Sequence, residues 1–198
     1  MSSDKTYKKK RDLEASPEPK SSGKKSSSGG DPIFVIQKHD ASNLHYDFRL
    51  EIDGTLKSWA VPKGPSTDPS EKRLAVPVED HPIEYADFEG VIPEDQYGAG
   101  TVMIWDKGTF KNLKEKDGEK VPLNECYENG RLEISLDGKK ISGGYALIKA
   151  KNMDGNWLLV KMDDEKADAR RNPVNTEKKS AKTGRTLQEI KREETEDA

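Results

Sequence analysis

The sequence predicts a mostly-β chain folded as an antiparallel barrel or sandwich, and three observations predict it. Short apolar or alternating runs recur at roughly 8–12-residue spacing between residues 31 and 164. The dipeptides Asp53-Gly54, Asp137-Gly138 and Asp154-Gly155 punctuate them, and Asp-Gly suits a two-residue hairpin because both positions tolerate positive φ. Only one stretch in this span, Pro122 to Asn129, reads as a short helix, with Pro at its start and Gly130 near its end.

Each element can be justified in turn. Ile33 to Ile36 is a short apolar β-run. Leu44 to Ile52 alternates strictly: Leu44, Tyr46, Phe48 and Leu50 are apolar or aromatic, while His45, Asp47, Arg49 and Glu51 are ionisable. A period of two sends these sets to opposite faces, so one face enters a core and the other presents a polar row. Asp53-Gly54 then turns the chain into a return strand, Leu56 to Val61. Pro62, Gly64, Pro65 and Pro69 mark a loop. Arg73 to Val78 alternates again and leads into Glu79-Asp80-His81-Pro82, where the proline biases His81 to extended backbone. Residues 83–100, rich in Gly, Pro and acids, predict an irregular loop. Thr101 to Trp105 and Gly108 to Leu113 predict a strand pair, and 114–121 a charged turn. Arg131 to Leu136, Gly144 to Ala150 and Asn156 to Met162 predict three closing strands.

Composition separates the middle from the ends. The 198 residues are 31% hydrophobic and 36% charged, too polar for the whole chain to be core. Residues 1–30 carry a net +4 and residues 165–198 a net +1, which leaves −8 for residues 31–164. We expect 1–30 to be a disordered basic arm, with Lys8-Lys9-Lys10-Arg11 and Lys24-Lys25 as clusters able to skim phosphates. We expect 165–198 to be a charged mobile tail with no core-forming face beyond a weak helical pattern near Thr186 to Ile190. An acidic body excludes a general basic nucleic-acid surface, so phosphate contacts must come from a local patch. The single Cys126 excludes an internal disulfide, reads as a small buried hydrophobe and fits a reducing, cytoplasmic setting. No run approaches 18 apolar residues, so no membrane span or secretory signal is expected.

All three histidines fall between positions 39 and 81. His45 and Asp47 share a strand face at ~6.6 Å along the strand. His39 can fold back beside His45 across a short polar connection. Imidazole and carboxylate donors suit Mn²⁺, Fe²⁺ or Zn²⁺, and three protein ligands leave positions open for catalysis. Arg49, next on that face, has the fork for bidentate phosphate binding, and Lys63 and Arg73 flank the following loop with further charge. His81 could donate to a phosphoryl oxygen or act as general acid. Tyr85 by itself reads as a core or rim aromatic.

Four motifs carry a resemblance: His39-x-Ala41-Ser42-x-Leu44-His45-Tyr46-Asp47-Phe48-Arg49-Leu50-Glu51; Trp59-Ala60-Val61-Pro62-Lys63-Gly64-Pro65; Glu79-Asp80-His81-Pro82-x-x-Tyr85-x-x-Phe88-Glu89-Gly90; and Gln96-Tyr97-Gly98-x-Gly100-Thr101. Over roughly residues 31–162 they closely resemble the 3′-phosphoesterase domain of bacterial DNA ligase D. The resemblance implies a compact β-barrel and a Mn²⁺-dependent activity, with Co²⁺ or Zn²⁺ as substitutes, that trims DNA 3′ ends. A terminal 3′ ribonucleotide is removed to leave a 3′-phosphate, and the phosphate is removed to leave a 3′-OH. It implies His39, His45 and Asp47 as metal ligands and Arg49, His81 and Tyr85 at the scissile phosphate, with Lys63, Arg73 and Glu79 in supporting positions. It also implies DNA 3′ ends as partners; the family domain is usually fused to ligase and polymerase modules, and we expect this chain to be a free-standing monomer that meets a DNA ligase in trans.

Two rivals follow from the residues. An Fe(II) oxygenase could use His45, Asp47 and His81 as a facial triad, but no Arg lies between His81 and Arg131 to hold an oxoacid. A non-catalytic nucleic-acid-binding barrel would need stacking aromatics along a basic groove, a pattern the acidic body lacks.

Overall fold

The computed structural model describes residues 3–22 and 29–196. Eleven strands and four short helices follow in order: α1 (Ser3–Lys9), β1 (Ile33–Asp40), β2 (Leu44–Ile52), β3 (Thr55–Val61), β4 (Lys72–His81), β5 (Gly90–Ile92), β6 (Gly100–Asn112), β7 (Glu115–Lys116), β8 (Glu119–Lys120), α2 (Leu123–Glu128), β9 (Arg131–Gly138), β10 (Ser142–Lys149), β11 (Trp157–Lys161), α3 (Pro173–Thr176) and α4 (Leu187–Glu196). A 3₁₀ turn covers Ile83–Asp87. The strands β1-β2-β3-β4-β11-β10-β9-β6 pair in that order, and β6 pairs back to β1, closing an eight-stranded antiparallel barrel. Closure removes the exposed edges that a sandwich would leave. No helix among the described residues is long and apolar enough to cross a membrane.

Alternation decides what lies inside. Phe34, Ile36, Tyr46, Phe48, Leu50, Trp59 and Trp105 fill the barrel. A second apolar cluster sits on the outer wall, where Val35 and Leu56 meet Tyr85, Phe88, Ile92 and Tyr7. Both faces of β1 are therefore covered, which is why its sequence reads as a continuous apolar run rather than an alternating one.

The structure corrects several expectations. Thr101 to Trp105 and Gly108 to Leu113 are one strand, not a pair: β6 runs unbroken for 13 residues. The apparent break at Asp106 is a bend, where β1 shifts register between Ile36 and Gln37. Gly108 lets β9 come close to β6, since a Cβ there would lie 1.9 Å from the Asp137 carbonyl oxygen. Asp53-Gly54 and Asp154-Gly155 are turns with positive φ at both residues, but Asp137-Gly138 is the end of β9. Gly138 is needed for close approach, because a Cβ would come within 2.5 Å of the Asp106 carboxylate. Residues 83–100 hold the 3₁₀ turn and β5 rather than loop alone, and the charged turn is the β7–β8 hairpin. Leu44 belongs to the apolar set by alternation yet is 48% exposed, because it lies at the barrel's rim.

The two ends lie on the barrel rather than away from it. The arm expected over 1–30 has its described part, 3–22, against β4, with Tyr7 fully buried and Leu13 packed on the outer cluster. These few apolar residues suffice because the outer wall offers them an apolar surface. Lys24 and Lys25 lie outside the described residues. The tail expected to lack a core-forming face has one: Leu187 and Ile190 of α4 are buried, with α4 against β5 and β6. The Trp105 indole N–H donates to the Glu177 carbonyl at 2.7 Å, and the Tyr46 hydroxyl to that of Val174 at 3.2 Å.

Candidate active site

The β1–β2 register sets the site. His39 pairs with His45 and Gln37 with Asp47, so all four project from one face of adjacent strands. That face looks out of the barrel, but it is not bare: the 3₁₀ turn, Tyr7 and Arg11 cover it, and Asp47, Arg49 and His81 are buried. The result is a cavity of about 300 Å³ whose polar wall is His39, His45, Asp47, Arg49, His81 and Glu79.

One donor atom from each of His39, His45 and Asp47 lies within 4.8 Å of the others. His45 Nδ1 donates to the Asn43 carbonyl at 2.9 Å, and Nε2 lies 3.4 Å from Asp47 Oδ1, donating to it in the imidazolium and carrying the lone pair in the neutral ring. A backbone carbonyl fixing the tautomer in this way prepares an imidazole for a metal. His39 Nε2 is buried with no hydrogen-bond partner, and Nδ1 lies 3.5 Å from Asp47 Oδ2. A buried, unpaired imidazole nitrogen costs free energy unless something binds it. These three residues therefore fit a divalent cation.

Beside them is a guanidinium–imidazole arrangement. Arg49 donates from Nη2 to Asp47 Oδ2 at 3.0 Å and from Nε to Gln37 Oε1 at 2.7 Å. Gln37 is locked in turn, giving its amide hydrogens to the Tyr85 and Phe88 carbonyls, each at 3.0 Å. Arg49 Nη1 lies 3.0 Å from His81 Nδ1, and Arg11 Nη2 lies 3.4 Å from His81 Nε2. His81 Nδ1 thus lies between a donor, Arg49 Nη1, and an acceptor, the Glu79 carbonyl at 2.9 Å. Arg11 is held by Glu79 at 2.6 Å and Glu18 at 2.9 Å. The Tyr85 ring packs 4.6 Å from the His81 ring, and the Arg49 guanidinium lies over it at 4.9 Å.

These neighbours set the charge states. Burial alone would raise the Asp47 carboxyl, but Arg49 and the hydrogen bonds from His39 and His45 hold it well below the usual carboxylate range. The hydrogen bond to Asp47 pushes His45 above the ordinary imidazole value, although burial opposes it. Burial and then the two guanidiniums, Arg49 and Arg11, push His81 well below that value, so it is neutral at pH 7. Burial pushes the Tyr85 phenol well up and keeps it protonated.

Of the residues predicted from sequence, the structure brings together His39, His45, Asp47, Arg49, Glu79, His81 and Tyr85. It does not bring in Lys63, which is exposed beyond the cavity, or Arg73, which bonds Glu71 at 2.7 Å near the far end of β4. Nor does it assemble His45, Asp47 and His81 as a facial triad, since both His81 nitrogens face guanidiniums. Sequence reasoning missed Gln37, although its place two residues before His39 on β1 was a usable signal. It also missed Arg11, Glu18 and Tyr7, which carried no signal beyond one basic cluster and lie far away in sequence.

Comparisons with known proteins converge on one family. The family described as DNA Ligase D 3′-phosphoesterase domain matches residues 37–149. The chain is 51% identical over 163 residues, 81% of its length, to the multifunctional non-homologous end joining protein LigD of Pseudomonas aeruginosa, and covers 19% of that protein. It is 45% identical over 163 residues to the protein of the same description from Mycolicibacterium smegmatis, again with 81% of this chain and 21% of the relative. The multifunctional non-homologous end joining DNA repair protein LigD of Mycobacterium tuberculosis is 45% identical over 160 residues, 81% of this chain and 20% of its own. The chain thus spans about a fifth of the length of these relatives.

Proposed function

The chain belongs to the family of DNA ligase D 3′-phosphoesterase domains, and from that premise we propose that it is a metal-dependent hydrolase of DNA 3′ ends that serves end joining. Its substrates are a 3′-terminal ribonucleotide, removed to leave a 3′-phosphate, and the 3′-phosphate, removed to leave a 3′-OH. The observation that carries this reading is the buried His39–His45–Asp47 group lying directly against the Arg49–His81–Arg11 arrangement. A cation site beside an anion site, on one wall of one cavity, is what a phosphate ester requires.

His39, His45 and Asp47 hold the metal, for which Mn²⁺ is our assignment; when bound, it supplies Lewis-acid polarisation of the phosphoryl group. Arg49 and Arg11 grip non-bridging oxygens as forks, and Gln37 and Asp47 keep Arg49 from turning away. Neutral His81 tolerates both guanidiniums in the free chain. Once an anionic phosphate offsets them, His81 can take a proton and pass it from Nε2 to the leaving oxygen as a water oxygen bonds to phosphorus and gives up its own proton to solvent. Tyr85 stays protonated and donates to a phosphoryl oxygen. Lys63 and Arg73 do not line the cavity and take no part in this scheme. A DNA ligase acting on the same end is the expected partner.

The test is a 3′-end assay on 5′-labelled primer-templates, one ending in a ribonucleotide and one in a 3′-phosphate, with Mn²⁺, Mg²⁺ or EDTA. We expect Mn²⁺-dependent conversion of both to 3′-OH, lost in His45→Ala and His81→Ala. Conversion of neither substrate, with DNA binding intact, would overturn the reading in favour of a binding module.

A further inference from the structure

Tyr97 has no place in the chemistry above, yet its position is closely determined. It sits in the turn between β5 and β6, where the Gln96 N–H donates to the Pro93 carbonyl at 3.0 Å and the Ala99 N–H to that of Gln96 at 3.1 Å. Gly98 and Gly100, which follow it, adopt φ of 80° and 135°. Gly100 is pressed onto the hairpin that carries His39 and His45: a Cβ there would lie 2.2 Å from the Asp40 carbonyl oxygen. The turn is thus fastened to the same hairpin as the candidate ligands.

The fastening presents an aromatic ring to solvent. Tyr97 is 52% exposed and lines the cavity. A single exposed apolar side chain needs no explanation. Here, six large hydrophobic side chains are exposed among the described residues, and two of them, Tyr97 and Val78, line this one cavity. Arg11 links the ring to the chemistry. Its Nη2 is 3.4 Å from His81 Nε2, and its guanidinium carbon is 5.3 Å from the Tyr97 ring centroid. The ring therefore stands one side chain away from the imidazole at the phosphate site. In a nucleotide, one sugar separates the base from its 3′ phosphorus, a span of similar kind.

We infer that Tyr97 is a stacking platform for the nucleobase nearest the scissile phosphate, with Val78 as an apolar contact at the rim. This deepens the reading of the site as a DNA 3′-end phosphoesterase and rests on it. Every base offers a π-face, so the platform holds an end in place whatever its sequence. An end-trimming enzyme must accept any terminal base, and hydrogen-bond readout of the base would prevent that. The Lys10 ammonium lies 5.0 Å from the ring centroid and also pairs with Glu79 at 3.2 Å, so a base stacking on that face displaces an exposed, flexible side chain.

The test is spectroscopic. An oligonucleotide with a 3′-phosphate and 2-aminopurine as its last base is titrated with the full chain in EDTA, and a second oligonucleotide carries the probe six nucleotides upstream. We expect quenching of the terminal probe only, kept in Tyr97→Phe and lost in Tyr97→Leu. In Mn²⁺, Tyr97→Leu should raise KM about 10-fold with kcat within about twofold, because stacking adds binding rather than chemistry. A purely structural role, in which the ring props Arg11 on His81, would lower kcat and leave the quenching in place; that outcome overturns the inference, as does absence of quenching in the wild type. A wild type that quenches the probe but hydrolyses neither substrate keeps the platform and overturns the reaction instead.

Discussion

Two buried aspartates in this barrel are held by different kinds of donor, and the difference separates scaffold from site. Asp106 is fully buried, and its carboxylate accepts four backbone N–H groups: Lys107 and Lys139 at Oδ1, both at 2.9 Å, and Lys140 and Ile141 at Oδ2, both at 3.0 Å. Those donors cannot titrate, swing away or be displaced, so Asp106 fixes the β9–β10 connection against β6. Asp47 is nearly as buried, but its neighbours are two imidazoles and a guanidinium. Its donors can lose protons or turn toward a ligand, and a cation can replace their charge. A buried carboxylate held by amides is a structural tie; one held by ionisable side chains is a site in waiting.

The largest effect should come from exchanging the damage. Asp47→Asn should lower 3′-phosphate removal by at least about 100-fold, as loss of a metal contact does, while the melting temperature stays within a few degrees. Asp106→Ala should do the reverse. It orphans backbone donors at about 3 kcal/mol in total, or roughly 6–12 °C in Tm, and leaves kcat below the transition unchanged. Calorimetry and the end assay on both variants check this; equal damage to both properties in either variant would break the comparison.

Arg49→Lys comes next. Lysine keeps the charge but loses the fork that spans Asp47, Gln37 and the phosphate position, so kcat/KM should fall roughly 10–100-fold, read in the same assay. Metal response should then sharpen the contrast. Mn²⁺ at about 100 times its Kd should stabilise the wild type by about 2.7 kcal/mol, stabilise Asp106→Ala by the same increment, and leave Asp47→Asn unmoved, as measured by thermal melts.

The smallest effect is the pH dependence of that increment. Asp47 raises the His45 imidazole, and only the neutral imidazole binds metal. The Mn²⁺-induced shift should therefore shrink as pH falls through the raised value, with apparent affinity dropping about tenfold per unit below it. Without metal the sign reverses. The stability that the His45–Asp47 contact contributes is full below the unfolded imidazole value, roughly 6.5, and is lost as pH rises through the folded one. Melts with and without Mn²⁺ from acid to mildly alkaline pH check both; a metal-induced shift that grows toward acid would contradict the ligand assignment.

Much of this was legible before any coordinates. Strict alternation from Leu44 to Ile52 gave the central strand its observed ends and put His45, Asp47 and Arg49 on one face, because strand geometry allows nothing else. Asp53-Gly54 gave the next turn through its demand for positive φ. Other features depend on what packs where. Gly138 and Asp106 look like turn and break signals, yet each answers to a close approach between strands distant in sequence. Tyr7 and Arg11 sit in a segment too polar to fold by itself and acquire their places only because the outer wall of β1 offers an apolar surface and His81 lies beside it. The spacing of Arg73 from the other candidates along the chain gave no warning that it would lie near the far end of β4.

The sequence by itself determined the central strand and its hairpin, the direction of each side chain along them and the family to which the chain belongs, since periodicity, turn chemistry and long motifs are local properties. Only the tertiary structure decided which polar groups are buried together, and hence which imidazole keeps an unpartnered nitrogen, which is raised and which is kept neutral. Those are consequences of burial and of charges brought close by closure of the barrel, and no stretch of the chain contains them alone.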